Sequence, residues 1–116
     1  MKHKKRNIKL YLQDILDCLE KIERYTERMS FTDFLNDDKT KDSVVRNLEV
    51  IGEATKNIPD VLKERYATIP WDDIAGMRNK IAHEYFGINY DVVWHTLKDD
   101  LPDFGLQIAQ IIREVE

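Results

Sequence analysis

Glycine and proline are scarce in this chain, four and three in 116 residues, while charged residues make up 34% and apolar ones 42%. That composition excludes a low-complexity or disordered tail and favours helices over a sandwich or barrel. A single cysteine, Cys18, excludes an internal disulfide. It stands among apolar residues at helical spacing and reads as a small buried hydrophobe rather than a reactive thiol. No uninterrupted apolar run follows the basic start MKHKKRN, which argues against a signal segment or membrane span and makes a soluble protein of the cytoplasm the expectation. Positive charge is not in excess either. The formal net charge of -4 argues against a broad surface gripping long nucleic acid, although one local site remains compatible with it. The Lys/Arg cluster at residues 2 to 6 reads as a solvated terminus rather than a nucleic-acid arm.

What is present is helical periodicity. Ile8, Tyr11, Leu12, Ile15, Cys18, Leu19, Ile22 and Tyr25 recur in three- and four-residue steps and predict a long first helix. Residues 30 to 36 interrupt the pattern and predict a connector or short helical turn. Asp37 and Asp38 then suit the cap of a second helix carrying Val44, Val45, Leu48, Ile51 and Thr55 inward until Pro59. After a short piece around Val61 to Tyr66, Pro70 is expected to open a third principal helix. Asp72 and Asp73 suit its dipole, and Gly87 provides a left-handed stop beyond Tyr85. Asp91 is expected to cap a segment with Val93, Trp94 and Leu97. Pro102 marks a break before a last amphipathic helix with Phe104, Ile108, Ile111 and Val115. No strand-period segment or internal repeat is visible, so residues 1 to 116 predict one all-α domain, an antiparallel bundle of four to five helices. Apolar faces wider than such a bundle needs predict a homodimer.

The chemistry-bearing segment is RNKIAHEY, residues 78 to 85. Arg78 offers a permanently charged fork that matches phosphate oxygens, and His83 can exchange protons near neutral pH. Asn79 can orient the imidazole or bind a phosphate oxygen. On a straight helix Arg78 and Tyr85 lie about 20° short of two full turns apart, whereas His83 is displaced by about 140° from Arg78. Either the helix ends near His83 and re-aims it, or two copies of the chain complete one cleft. A helix C-terminus at His83 would favour the imidazolium, a proton donor for a leaving oxygen. Taken alone the triplet is weak evidence, because Arg, His and Tyr near a helix end more often serve as a cap, an ion pair and an interfacial aromatic.

The spelling Arg78-x-x-x-x-His83-x-Tyr85 resembles the signature of the HEPN superfamily. RNLEVIGEA at 46 to 54, IPWDDIAGMRNKIAHEYFGI at 69 to 88 and VWHTLKDDLPDF at 93 to 104 are similar to HepT-type toxins. The resemblance spans most of the chain and implies a HEPN-like bundle. It further implies a metal-independent endoribonuclease, the toxin of a two-gene toxin-antitoxin module, with RNA as substrate because the 2′-hydroxyl attacks the neighbouring phosphate. No cofactor and no metal ligand set is implied. Arg78 and His83 carry over as catalytic and Asn79 as the accompanying polar residue. Tyr85 carries over as the residue that a partner minimal nucleotidyltransferase, the MNT antitoxin, adenylylates to silence the toxin.

Arg46 and Glu53 fall in the family-like stretch of the second helix and either line the cleft or form an ion pair that ties two helices. Gly52 beside them allows close helix approach at some cost in helix propensity. Rival signals are poor. Gly87 stands where a zinc-protease helix needs its second histidine after His83 and Glu84, and His95 reads as a surface or structural histidine. Trp71 and Trp94 read as packing residues before base-stacking ones. An alternative to the enzyme is a catalytically weak helical subunit that binds nucleotide in the same cleft, or serves mainly as partner of the nucleotidyltransferase.

Overall fold

The computed structural model describes the backbone of residues 2–83 and 87–115 and the side chains of residues 8–82 and 87–115. Helix α1, Lys2–Thr26, forms because Leu12, Ile15, Leu19 and Ile22 fall on one stripe and are buried, while Gln13, Asp14, Asp17 and Glu20 face water. Cys18 is buried in that stripe, and burial pushes its thiol pKa up, away from the reactive thiolate. Thr26 is buried at the helix end, where its hydroxyl donates to the Ile22 carbonyl at 2.8 Å and escapes the cost of an unpaired polar group.

Helix α2, Phe31–Leu35, starts with a capping box: Ser30 Oγ accepts the Asp33 N–H at 3.1 Å and the Asp33 carboxylate accepts the Ser30 N–H at 3.0 Å. Its Phe34 is fully buried, 5.2 Å between ring centroids from Trp94 and 6.1 Å from Tyr90. Helix α3, Asp38–Lys56, is capped by Asp37, whose carboxylate accepts the Thr40 N–H at 3.0 Å. It packs against α1, and its buried residues Val44, Leu48 and Ile51 each contribute about 1.5–3 kcal/mol by leaving water. Helix α4, Asp60–Arg65, is a short piece with no buried residue.

The third principal helix expected over residues 71 to 85 is not continuous. It divides at Gly76 into α5, Trp71–Ala75, and α6, Met77–Ile81. Ala82 takes extended backbone (φ -76°, ψ 139°), and the chain enters strand β1, Ala82–His83, which pairs antiparallel with β2, Gly87–Ile88. The expectation of no strand therefore fails at this hairpin, two residues a side. Its register sets Ala82 opposite Ile88 and His83 opposite Gly87. The Ile81 carbonyl, which a longer helix would have bonded internally, accepts the Asn89 N–H at 2.8 Å. Gly87 does adopt the left-handed conformation (φ +81°), but within β2 rather than as a helix stop.

Helix α7, Tyr90–His95, is capped by Asn89, whose side chain accepts the Val92 N–H at 3.3 Å, so Asp91 lies in the first turn instead of capping. A π-helical segment, Thr96–Asp100, joins α7 directly to α8, Leu101–Glu114. Pro102 therefore does not break the chain's course. It occupies the first turn of α8, where a residue without an N–H is tolerated, and the π turn supplies the local change of register. Helix α1 packs against α3 and α8, and α5 and α6 cross α3. Among the described residues the elements are helical except for the one hairpin, an all-α architecture with three long helices and shorter connecting ones. No described helix is long and apolar enough to cross a membrane.

Candidate active site

The site begins with a close approach. A Cβ placed on Gly52 of α3 would stand 3.4 Å from the carbonyl oxygens of both Ala75 and Ile74 and 3.7 Å from the Met77 Cβ. At Gly52, then, α3 lies against the junction of α5 and α6 closely enough that a single added Cβ would already be in contact. Met77 and Ile81, one turn apart, are buried and fix the rotation of α6, which leaves Arg78 on its exposed side toward α3.

Between these elements lies a cleft of about 440 Å³ lined by Arg46, Glu49, Val50, Gly52, Glu53 and Lys56 of α3, Ala75 of α5 and Arg78 of α6. Three of the residues singled out from the sequence, Arg46, Glu53 and Arg78, therefore share one cavity. Glu53 pairs with Lys56 on its own helix, carboxylate to ammonium at 3.4 Å, and not with Arg46. An Arg46–Glu53 pair could not tie two helices, because both residues stand on α3, and Glu53 makes an exposed i,i+3 contact of small energetic weight instead. Among the described residues neither Arg46 nor Arg78 has a carboxylate within 4.0 Å. Two guanidiniums on the walls of one cleft are an arrangement that can hold a phosphate group.

Asn79 is exposed and does not line the cleft. Lys80 turns the other way and reaches Asp100 at 3.2 Å, tying α6 to the end of the π segment. His83 lies on β1, two residues beyond the last residue of α6, so of the two solutions to the angular mismatch the chain adopts an early helix end. His83 therefore does not stand in a helical last turn, whose dipole would have favoured an imidazolium. The His83 side chain and the whole of Tyr85 lie outside the described residues.

Glu49 and Lys56 line the cleft as well but were not selected from the sequence. The signal was available: positions 46, 49, 53 and 56 advance by three and four residues, the spacing of one helix face. His95 is exposed, with Nδ1 3.4 Å from Asp99 one turn on. Trp71 is buried, its indole N–H donating to the Tyr66 carbonyl at 3.1 Å and its ring edge-on to Phe104. Trp94 packs between Phe31 and Phe34 under Lys98. Both tryptophans are committed to packing.

An all-α chain with an arginine-lined cleft one turn before a histidine-bearing hairpin defines a candidate phosphate-handling protein, and comparison with known proteins gives its family. The family model described as Ribonuclease HepT-like matches residues 15–111. A Thermococcus cleftensis protein named "Probable ribonuclease HepT" is 49% identical, over 84% of this chain and 89% of its own length. A Methanocaldococcus jannaschii protein provisionally named an RNase is 44% identical over 97% of this chain and 93% of its own. Another so named, from Caldanaerobacter subterraneus subsp. tengcongensis, is 40% identical over 90% and 93%. No solved structure matches the chain. The chain belongs to the HepT-like ribonuclease family, and its bundle is HEPN-like.

Proposed function

We propose that the chain, acting as one helical domain, is a metal-independent endoribonuclease whose cleft is built around Arg78 and His83. The observation that carries this reading is the convergence of Arg46 and Arg78 on one cavity immediately ahead of His83. The 2′-oxygen of RNA bonds to the adjacent phosphorus and releases its proton. The bond from phosphorus to the 5′-oxygen breaks, and that oxygen takes up a proton, leaving a 2′,3′-cyclic phosphate and a 5′-hydroxyl. Arg78 stabilises the charge that builds on the phosphate oxygens, and His83 moves the protons. The nucleophile is part of the substrate, so the step needs no metal to generate one. Asn79 supports the site through its neighbours, because it lies beside Arg78 and off the cleft wall.

Two copies related by a two-fold axis form the working unit, bringing both motifs into one groove. In the cytoplasm the chain is the toxin of a HepT/MNT-type toxin-antitoxin pair. Its nucleotidyltransferase partner transfers a nucleotide to the Tyr85 phenol oxygen, releasing pyrophosphate from a nucleoside triphosphate. The added bulk and negative charge compete with substrate phosphate for Arg78. Mass spectrometry after co-expression with the partner tests this: a nucleotide-sized addition on Tyr85, absent from Tyr85→Phe, is expected, and an addition elsewhere refutes it.

A second reading has one observation in its favour. Glu49 and Glu53 stand in the same cleft, in a chain of net charge -4, and weaken its grip on phosphate. In that reading the chain is a catalytically weak nucleotide-binding subunit or partner of the nucleotidyltransferase. Purified, unmodified protein incubated with RNA in chelator decides between them: turnover lost in His83→Ala supports the enzyme, and nucleotide binding without turnover supports the subunit.

A further inference from the structure

The cleft holds more negative charge than phosphate binding alone would call for. Its α3 wall runs Arg46, Glu49, Glu53, Lys56, with the two carboxylates between the two cations. Glu53 has Lys56 beside it at 3.4 Å. Glu49 is half-buried and, among the described residues, has neither a hydrogen bond nor a cation within 4.0 Å. Val50, Gly52 and Ala75 contribute only small or apolar surface to the same cavity, room for a flat ring to lie against. At about 440 Å³ the cavity falls within the span of small-ligand clefts, roughly 300–1,000 Å³.

A carboxylate without a paired cation, in one cleft with two guanidiniums, weakens the grip on the substrate backbone unless the substrate also supplies donors to it. Ionised, it is acceptor-only, with two oxygens side by side. Of the four bases of RNA, guanine alone presents two parallel N–H donors, at N1 and N2, on its Watson–Crick edge. Adenine and cytosine present one amino group beside a ring nitrogen whose lone pair faces the carboxylate. Uracil presents one N–H between two carbonyls. In single-stranded RNA these edges are free to be read.

We infer that Glu49 is a specificity-determining residue of this cleft, reading the Watson–Crick edge of a guanine beside the phosphate held by Arg46 and Arg78. The inference rests on the ribonuclease reading above. Five-nucleotide RNAs of sequence UUXUU, with X as G, A, C or U and a fluorescent end label, are titrated by anisotropy into His83→Ala protein, which leaves them intact. The same titrations are made with Glu49→Gln added, and cleavage positions are mapped with otherwise unmodified protein. Binding of the G oligonucleotide about ten-fold or more tighter than the U one, matched by cleavage at G, is expected, the span of a good bidentate contact. In Glu49→Gln the preference collapses to about two-fold or less. Equal binding of all four, a G preference that survives in Glu49→Gln, or a uniform loss of binding to all four in that variant overturns the assignment. RNA bound and cut without regard to base removes this inference and leaves the ribonuclease reading standing. RNA neither bound nor cut removes both.

Discussion

Replacing Gly52 tests whether the cleft depends on the contact between α3 and the α5–α6 junction. An added Cβ meets two backbone carbonyl oxygens at 3.4 Å, ordinary van der Waals contact with nothing to spare. Gly52→Ala therefore trades a helix-propensity gain of about 0.5–1 kcal/mol against slight crowding, and its net effect stays within about 1 kcal/mol. Gly52→Leu adds three further carbons, which either press on those main-chain oxygens and displace α5 and α6 from α3 or fill the cleft that Gly52 lines. Overpacking of this kind costs about 1–3 kcal/mol. For a domain near this size that lowers Tm by roughly 4–8 °C per kcal/mol. Either outcome disturbs the cleft that Arg46 and Arg78 share, so activity on RNA falls further than the small loss of folded fraction explains. Circular dichroism melts and an RNA cleavage assay on the same samples check both parts. A Gly52→Leu protein as stable and as active as the parent would refute the close-approach argument.

Arg78→Ala and His83→Ala are each expected to lower RNA cleavage by on the order of 10²-fold or more while leaving the melt unchanged, since transition-state contacts, not packing, are removed. Equal loss of activity and fold would assign the two residues to structure. Trp71→Ala empties a buried site and removes the bond to the Tyr66 carbonyl, so a loss of about 3–5 kcal/mol is expected in urea unfolding, and a loss below 1 kcal/mol would contradict the packing role. Acid sensitivity follows from two carboxylates held below their ordinary range, Asp37 by the Thr40 N–H and Glu114 by the Tyr66 hydroxyl and then Gln110. A depressed folded-state pKa gives stability that is present above the ordinary carboxylate range and lost as the pH falls through the folded value. Stability should therefore drop below about pH 4. Asp37→Asn keeps a capping acceptor while removing the titration, so a shallower acid limb in urea titrations is expected, and an unchanged slope would contradict the assignment.

Much of the fold was legible because its signals are local. The α1 stripe, the Asp37 cap and the close approach at Gly52 each depend on side-chain type at a fixed helical offset, and the structure uses each of them. Arg46 and Glu53 were picked out by the family-like stretch in which they fall, and the structure sets them in one cleft with Arg78 of α6. The end of α6 was not legible. No glycine or proline interrupts residues 77 to 86, and the hairpin that stops the helix is fixed by pairing with Gly87 and Ile88 and by the Asn89 N–H. Pro102 misled for the opposite reason: proline breaks a helix interior but opens a first turn, and only the π segment before it tells the two apart. The Glu53–Lys56 pair was legible too, since residues three apart on one helix are neighbours while Arg46 and Glu53 stand about two turns apart.

The central claim, that this cleft cleaves RNA through its own 2′-hydroxyl without a metal, is tested most directly on an end-labelled RNA in excess chelator, beside the same strand carrying a single 2′-deoxynucleotide at the mapped cleavage position. The account predicts cleavage of the all-RNA strand with a 2′,3′-cyclic phosphate end, and none at the deoxy position. Cleavage at the deoxy position, or activity that chelator abolishes and added divalent metal restores, would contradict it.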